Sequence, residues 1–260
     1  MTPETVDLNC DMGESFGRYS LGMDNQVIKY VTSANIACGF HAGDPLVMNR
    51  TVQLAAKHGV AVGAHPGFPD LEGFGRRNMD CSLNEIGAYV TYQVGALMAF
   101  CAKHGVRLQH VKPHGGLYNM AAFEKSVARA IAEAVARVDA NIILVALAGK
   151  NAELISSIGR EVGIRVAFEA FADRAYTPDG KLVSRRLPGA VIEDPAHAAE
   201  QALRIVREGR VIAIDGSFLH VEAQTLCIHG DTPGASDLSH SIRERLINEG
   251  IALQPLQTFC

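Results

Sequence analysis

One unit recurs along this chain and constrains its fold more than any other feature: an apolar strand-like run, a polar turn broken by glycine or proline, then an amphipathic helix. It is plainest in residues 33–44, S-A-N-I-A-C-G-F-H-A-G-D. Ile36, Ala37 and Cys38 read as a short buried strand, the run breaks at Gly39, and His41, Gly43 and Asp44 follow at once. Asp44 before Pro45 predicts a helix start, because aspartate accepts hydrogen bonds from the free N–H groups of a first turn and proline fits the first helical position. Repeated units of this kind imply a parallel sheet, since parallel strands need a crossover between them. In such folds, open or closed, function gathers at the carboxyl ends of the strands.

About seven units follow one another. Residues 6–11 alternate apolar and polar side chains, as a strand does, and run into a glycine-bounded loop at 12–17. Residues 25–30 suit a short helix. The helix 46–58 ends at Gly59, and strand 60–64 enters H-P-G-F-P-D and a glycine-rich excursion to Arg77, too long for a minimal turn. Ser82 and Glu85 read as a capping box, and Leu83, Ile86, Val90, Val94, Leu97 and Cys101 form one helical face. Strand 107–112 precedes P-H-G-G-L-Y and an alanine-rich helix to about residue 138. Strand 142–146 is apolar throughout, as expected of a strand covered on both faces. A sixth strand within 163–169 leads to F-A-D-R-A-Y and a long loop, 177–194. Asp194-Pro195 opens a helix that stops at Gly209, and residues 211–214 and 218–221 flank Asp215-Gly216 as a β-hairpin. Strand 225–228 ends in H-G-D-T-P-G before a final helix, 235–248. No boundary divides the chain, so residues 1–260 are read as one domain.

The strand ends carry most of the unusual polar residues: Asp7, Asn9 and Asp11; His41 and Asp44; His65; Lys112 and His114; Glu169, Asp173 and Arg174; His229 and Asp231. If the sheet closes, these converge on one mouth suited to acid–base chemistry or a metal. Several have plainer readings. Asp44, and Asp231 with Thr232, suit helix caps; His58 and His104 sit at helix ends beside glycine; His197 lies on a helix surface. Four histidines directly after four strands are harder to explain structurally. G-E-S-F-G at 13–17 matches a serine nucleophile elbow, but a loop-like R-Y-S-L-G follows where the elbow requires a helix. There is no P-loop and no H-E-x-x-H, and no spacing specifies a metal.

Composition sets the outer limits. Hydrophobic residues make up 48%, so the chain can bury a core. A net charge of −4 without a basic run, and the lack of tryptophan, weigh against nucleic acid as the partner. The longest apolar run, 142–148, is too short to span a bilayer. With no signal peptide at the N-terminus and six scattered cysteines lacking any C-x-x-C pair, a reduced cytoplasmic protein is expected.

The segments V-D-L-N-C-D-M-G-E-S-F-G, S-A-N-I-A-C-G-F-H-A-G-D, G-A-H-P-G-F-P-D, V-K-P-H-G-G-L-Y-N, E-A-F-A-D-R-A-Y and C-I-H-G-D-T-P-G-A closely resemble the LamB/YcsF family, from residue 6 to the final helix. The resemblance implies a distorted seven-stranded (β/α) barrel of the glycoside hydrolase/deacetylase type, here with a small hairpin insertion. It implies ATP-dependent opening of 5-oxo-L-proline to L-glutamate, with ATP as co-substrate and two further subunits, B and C, as partners. Without a P-loop, ATP is expected mainly on those partners. Asp11, His41, His65, His114, Glu169 and Asp231 then stand as catalytic candidates. Asn9, Asp44, Lys112, Asp173, Arg174 and His229 stand as substrate-binding candidates, with Arg76 or Arg185 as further anion contacts. Metal content and self-association, a homo-oligomer included, stay open. A metal-dependent deacetylase is the alternative activity, and a non-catalytic substrate carrier the alternative class.

Overall fold

A computed structural model describes residues 4–230 and 234–260. In chain order the elements are β1 (Thr5–Met12), α1 (Asp24–Val27), β2 (Ser33–Ala37), α2 (Pro45–His58), β3 (Ala61–His65), α3 (Leu83–Lys103), β4 (Leu108–Val111), α4 (Gly115–Phe123), α5 (Lys125–Val138), β5 (Ile143–Leu147), α6 (Ala152–Val162), β6 (Val166–Phe171), α7 (Pro195–Glu208), β7 (Arg210–Ile212), β8 (Phe218–His220), β9 (Thr225–Ile228), α8 (Ala235–Asn248) and β10 (Ala252–Leu253). Strands β1 to β6 pair in sequence order and in parallel, β6 pairs with β9, and β9 returns to β1. The sheet therefore closes as the expected seven-stranded parallel barrel. The hairpin β7–β8 stands apart as its own antiparallel sheet.

Local chemistry accounts for the helix starts. The Asp44 carboxylate accepts from Leu46 N and Val47 N with Pro45 in the first turn, and Asp194 accepts from His197 N in the same way. Ser82 and Glu85 form the capping box that opens α3. The alanine-rich stretch predicted as one helix is two, because Glu124 adopts an extended conformation (φ −114°, ψ 104°) between α4 and α5.

The period of two along the strands sorts their side chains. Val6, Leu8, Cys10, Ile36, Val62, Ala64 and Leu226 point outward and are buried against the helices. The other face looks into the barrel. The C-terminal segment, which the sequence pattern left unassigned, seals the lower end. Strand β10 pairs with the start of β1, and Leu256 inserts among Ile143, Val145 and Ala167. Only the upper end, where the strands finish, remains open.

Candidate active site

The barrel interior is polar where folds of this kind usually stack branched apolar residues. Its lowest layer centres on Asp7. The hydroxyls of Ser33 and Thr32 donate to Asp7 Oδ1 (both 2.6 Å), and Thr225 donates to Oδ2 (2.5 Å). One layer up, Asn9 Nδ2 donates to Glu169 Oε1 (2.9 Å) and to Thr225 Oγ1 (2.7 Å). Asn35 Nδ2 donates to Asn9 Oδ1 (2.6 Å) and Asp11 Oδ1 (2.8 Å). His110 Nε2 donates to Asn35 Oδ1 (2.6 Å), while Gln109 Nε2 donates to His110 Nδ1 (3.1 Å). Burial and the nearby Lys112 push His110 down to about 3, so its ring is neutral and both nitrogens are used. The ring fits because residue 63 is glycine: a Cβ there would lie 1.9 Å from His110 Nε2.

Lys112 joins this network to the mouth. Its ammonium sits 2.9 Å from Asp11 Oδ1, 2.8 Å from Glu169 Oε1 and 3.2 Å from Cys227 Sγ. Burial opposes its charge, but Asp11, Cys227 and Glu169 outweigh it and raise the ammonium well above the ordinary lysine range. Asp11 is likewise held well below the carboxylate range, because His65 and Lys112 overcome its burial. The second oxygen of Glu169 accepts from Tyr118 (2.8 Å).

Above Lys112 opens a cavity of about 1110 Å³. Asp11, Glu14, His65, Lys112, His114 and His229 reach it, and Arg76, Arg77, Lys181, Arg185 and Arg186 also line it. On one wall His65, His114 and His41 pack together, with His41 stacked on His114 at 3.7 Å. Phe74 faces both stacked rings, and its backbone takes a left-handed conformation (φ 55°) while its carbonyl accepts from His114 Nε2 (2.8 Å). That conformation belongs to the glycine-rich excursion, which is tied down: Gly116 N donates to Gly75 O, and His114 N to Pro66 O. Burial, then the neighbouring imidazoles, pushes His41 and His114 well below the ordinary histidine range. On the opposite wall the Asp173 carboxylate accepts from His229 Nδ1 (2.8 Å) and His229 N (2.9 Å). Burial raises Asp173, but His229 outweighs it and the carboxyl is held below its usual value.

The structure brings Asp11, His65, Lys112, His114 and His229 together at the cavity and moves others out of contact with it. Glu169 and Asn9 lie beneath the cavity with their polar atoms spent inside the barrel, so they hold Lys112 rather than meet a ligand. His41 is buried behind His114. Asp44 is a helix cap whose second oxygen accepts from Gly17 N (2.8 Å), away from the cavity. Asp173 contacts the cavity only through His229. Arg174 reaches the cavity wall, yet its guanidinium donates to Ala190 O and Val183 O and so anchors the 177–194 loop. Asp231 and Thr232 lie outside the described residues. Ser15 exchanges hydrogen bonds with Leu21 in an exposed loop and forms no nucleophile elbow.

Sequence reasoning missed Glu14, Asn35, His110 and Tyr118 as site components. The first sits within 3.8–3.9 Å of His41 Nε2 and His114 Nδ1. The signal for Asn35 and His110 was the alternation itself, continued inward from Asp7, Asn9 and Asp11 to the neighbouring strands.

The family model for LamB/YcsF matches residues 6–260. The chain belongs to the LamB/YcsF family. Its sequence is 54% identical over 254 residues to the 5-oxoprolinase A subunit of Pyrococcus furiosus, covering 98% of each chain. The structure of a LamB/YcsF relative, the lactam utilization protein of Thermus thermophilus, superposes with a TM-score of 0.88 at 49% identity, covering 96% of this chain and 99% of that one. A T48 deacetylase solved with substrate shares the fold of this LamB/YcsF barrel (TM-score 0.51, 14% identity, 97% and 88% coverage). Among the described residues no helix is long and apolar enough to cross a membrane.

Proposed function

We propose that this protein is the A subunit of an ATP-dependent 5-oxoprolinase, which opens 5-oxo-L-proline to L-glutamate together with partner subunits B and C. The observation that carries this reading is near-full-length identity to relatives of that name. The site chemistry is consistent with it. A five-membered lactam is a stabilised amide, and transfer of a phosphoryl group to its oxygen activates the ring carbonyl carbon. Water then adds to that carbon, the ring C–N bond breaks, and the nitrogen takes a proton. The activating phosphate is released by a second water, so ATP and two waters yield glutamate, ADP and phosphate.

This chain's residues suit the ring-opening half. His229, with Nδ1 fixed by Asp173, presents its other nitrogen as a base for water, in the manner of a carboxylate-oriented imidazole. Lys112 offers a fixed positive charge at the cavity floor for the oxygen that becomes anionic, and Asp11 keeps that lysine charged. Arg76, Arg77 and Arg185 at the rim suit the substrate carboxylate or a phosphoryl group. Phosphorylation of the lactam is assigned mainly to the partners, and the protein acts in the cytoplasm.

The test is to combine the purified chain with 5-oxo-L-proline and ATP, with and without subunits B and C, and to measure glutamate and ADP together. Matched glutamate and ADP only when all three subunits are present is the expected result. Glutamate from this chain alone would place the whole ATP-coupled site in this barrel. No glutamate from either mixture would sink the reading.

A further inference from the structure

We propose that the side chains of Glu14, His41, His65 and His114 form a binding site for one divalent transition-metal ion. The first observation is the proton inventory of two rings. His65 Nδ1 lies 2.7 Å from the carbonyl of Lys112, and His114 Nε2 lies 2.8 Å from the carbonyl of Phe74. A carbonyl oxygen only accepts, so each neutral ring carries its proton at that nitrogen. The remaining nitrogens, His65 Nε2 and His114 Nδ1, then face each other across 2.9 Å as two lone pairs. Two acceptors at that distance repel unless a cation joins them.

His41 provides the second observation. It is fully buried, and neither ring nitrogen has a hydrogen-bond partner among the described residues. An imidazole left in that state costs about 1–3 kcal/mol. Its Nε2 lies 3.8 Å from Glu14 Oε1, which is 3.9 Å from His114 Nδ1. Donor atoms from all four residues lie within 4.8 Å of one another. Two nitrogens each ~2.0–2.1 Å from one ion stand roughly 3.0–3.4 Å apart, close to the separation of His65 and His114. The backbone carbonyls behind those two rings are the supports that metal-bound histidines commonly use to fix tautomer and orientation. Three imidazoles and one carboxylate favour zinc, manganese, iron or cobalt over magnesium or calcium. Such an ion, when bound, would polarise a carbonyl or acidify a water at the cavity wall. The assignment concerns these four side chains and is independent of which substrate the cavity takes.

The rival cation is a proton on His65 Nε2, which Asp11 Oδ2 faces at 3.3 Å. Full-length protein, stripped with a chelator and titrated with cobalt(II), separates the two. About one cobalt per chain, with visible ligand-field bands and at least roughly tenfold weaker binding in Glu14→Gln and His41→Asn, is expected. No cobalt retained by the wild type, together with a doubly protonated His65 in the nitrogen-15 histidine spectrum, would overturn the site in favour of the proton. Unchanged cobalt binding in both variants, folded by circular dichroism, would overturn it equally. The wild-type stoichiometry and spectrum decide the matter even if a variant fails to fold.

Discussion

His110 and His41 are both buried imidazoles in one barrel, 1% and 0% exposed, and they meet opposite environments. His110 donates to Asn35 and accepts from Gln109, in a layer whose neighbours Asn9, Asn35 and Thr225 are themselves paired. His41 has neither nitrogen satisfied and lies among two more imidazoles and a carboxylate. The lower barrel thus spends its polar groups on one another, and the mouth withholds them. A fully satisfied buried network fixes a structure, whereas unsatisfied buried polar groups are retained where a ligand or reaction completes them. Asp11 and Lys112 form the seam between the two regions.

The largest expected effect comes from that seam. Asp11→Asn removes a carboxylate that keeps Lys112 charged and faces His65, while Glu169 still holds the lysine. Turnover of the assembled complex should fall about 10²–10⁴-fold, the range of an acid–base group, with little loss of thermal stability. Equal collapse of melting temperature and activity would show that the seam belongs to the scaffold. His229→Gln should cost a comparable but smaller factor, and Asp173→Asn should reproduce most of it if the carboxylate works by orienting the ring. Steady-state rates for both variants against wild type measure this; a harmless Asp173→Asn beside a crippled His229→Gln would separate the pair.

Two glycines probe the regions in contrasting ways. Alanine at Gly63 would bring a Cβ to 1.9 Å from His110 Nε2, with no free space in the satisfied layer. Gly63→Ala should lower the unfolding free energy by about 3 kcal/mol, read from urea denaturation. Alanine at Gly75, where φ is +63°, would come to 2.6 Å from His41 Cβ and 2.9 Å from His114 Cδ2. It should disturb the mouth, reducing activity more than stability. The reverse ranking would mean that the mouth, not the lower barrel, holds the fold together.

The fold was legible because its signals are local and repeated. Capping at Asp44, Ser82 and Asp194, the glycine stops, and the hairpin turn at Asp215-Gly216 each need only a few neighbouring residues. The seven-stranded closure came from family resemblance; spacing alone left the sheet open or closed. The site was partly legible. Histidines and carboxylates after strands marked the mouth, but which of them face a ligand depends on depth along the barrel axis. Glu169 and Asn9 therefore read as contacts although they sit below the cavity, and Arg174 read as an anion binder although its loop consumes it. Asn35 and His110 escaped notice because the apolar end of strand 2 and the strand character of residues 107–112 drew attention away from their inward alternation. Strand β10 is two residues long and carries no pattern of its own.

The smallest effect tests the bottom of the barrel through pH. Burial raises the Asp7 carboxyl from 3.8 to about 6, although three hydroxyls stabilise its anion. Between those values the folded chain holds a proton that the unfolded chain has released. Stability from this group is therefore fully present below about pH 4, falls as pH rises towards 6, and stays lower above it. A shift of this size corresponds to roughly 2–3 kcal/mol. Asp7→Asn cannot ionise, so its stability relative to wild type should rise between pH 4 and pH 6.5, even though its amide fits the Thr32, Ser33 and Thr225 hydroxyls less well at every pH. Urea unfolding of both proteins across that range measures the difference. A constant difference would mean that Asp7 titrates normally in the folded state, and that the lower barrel tolerates a charge as readily as the mouth does.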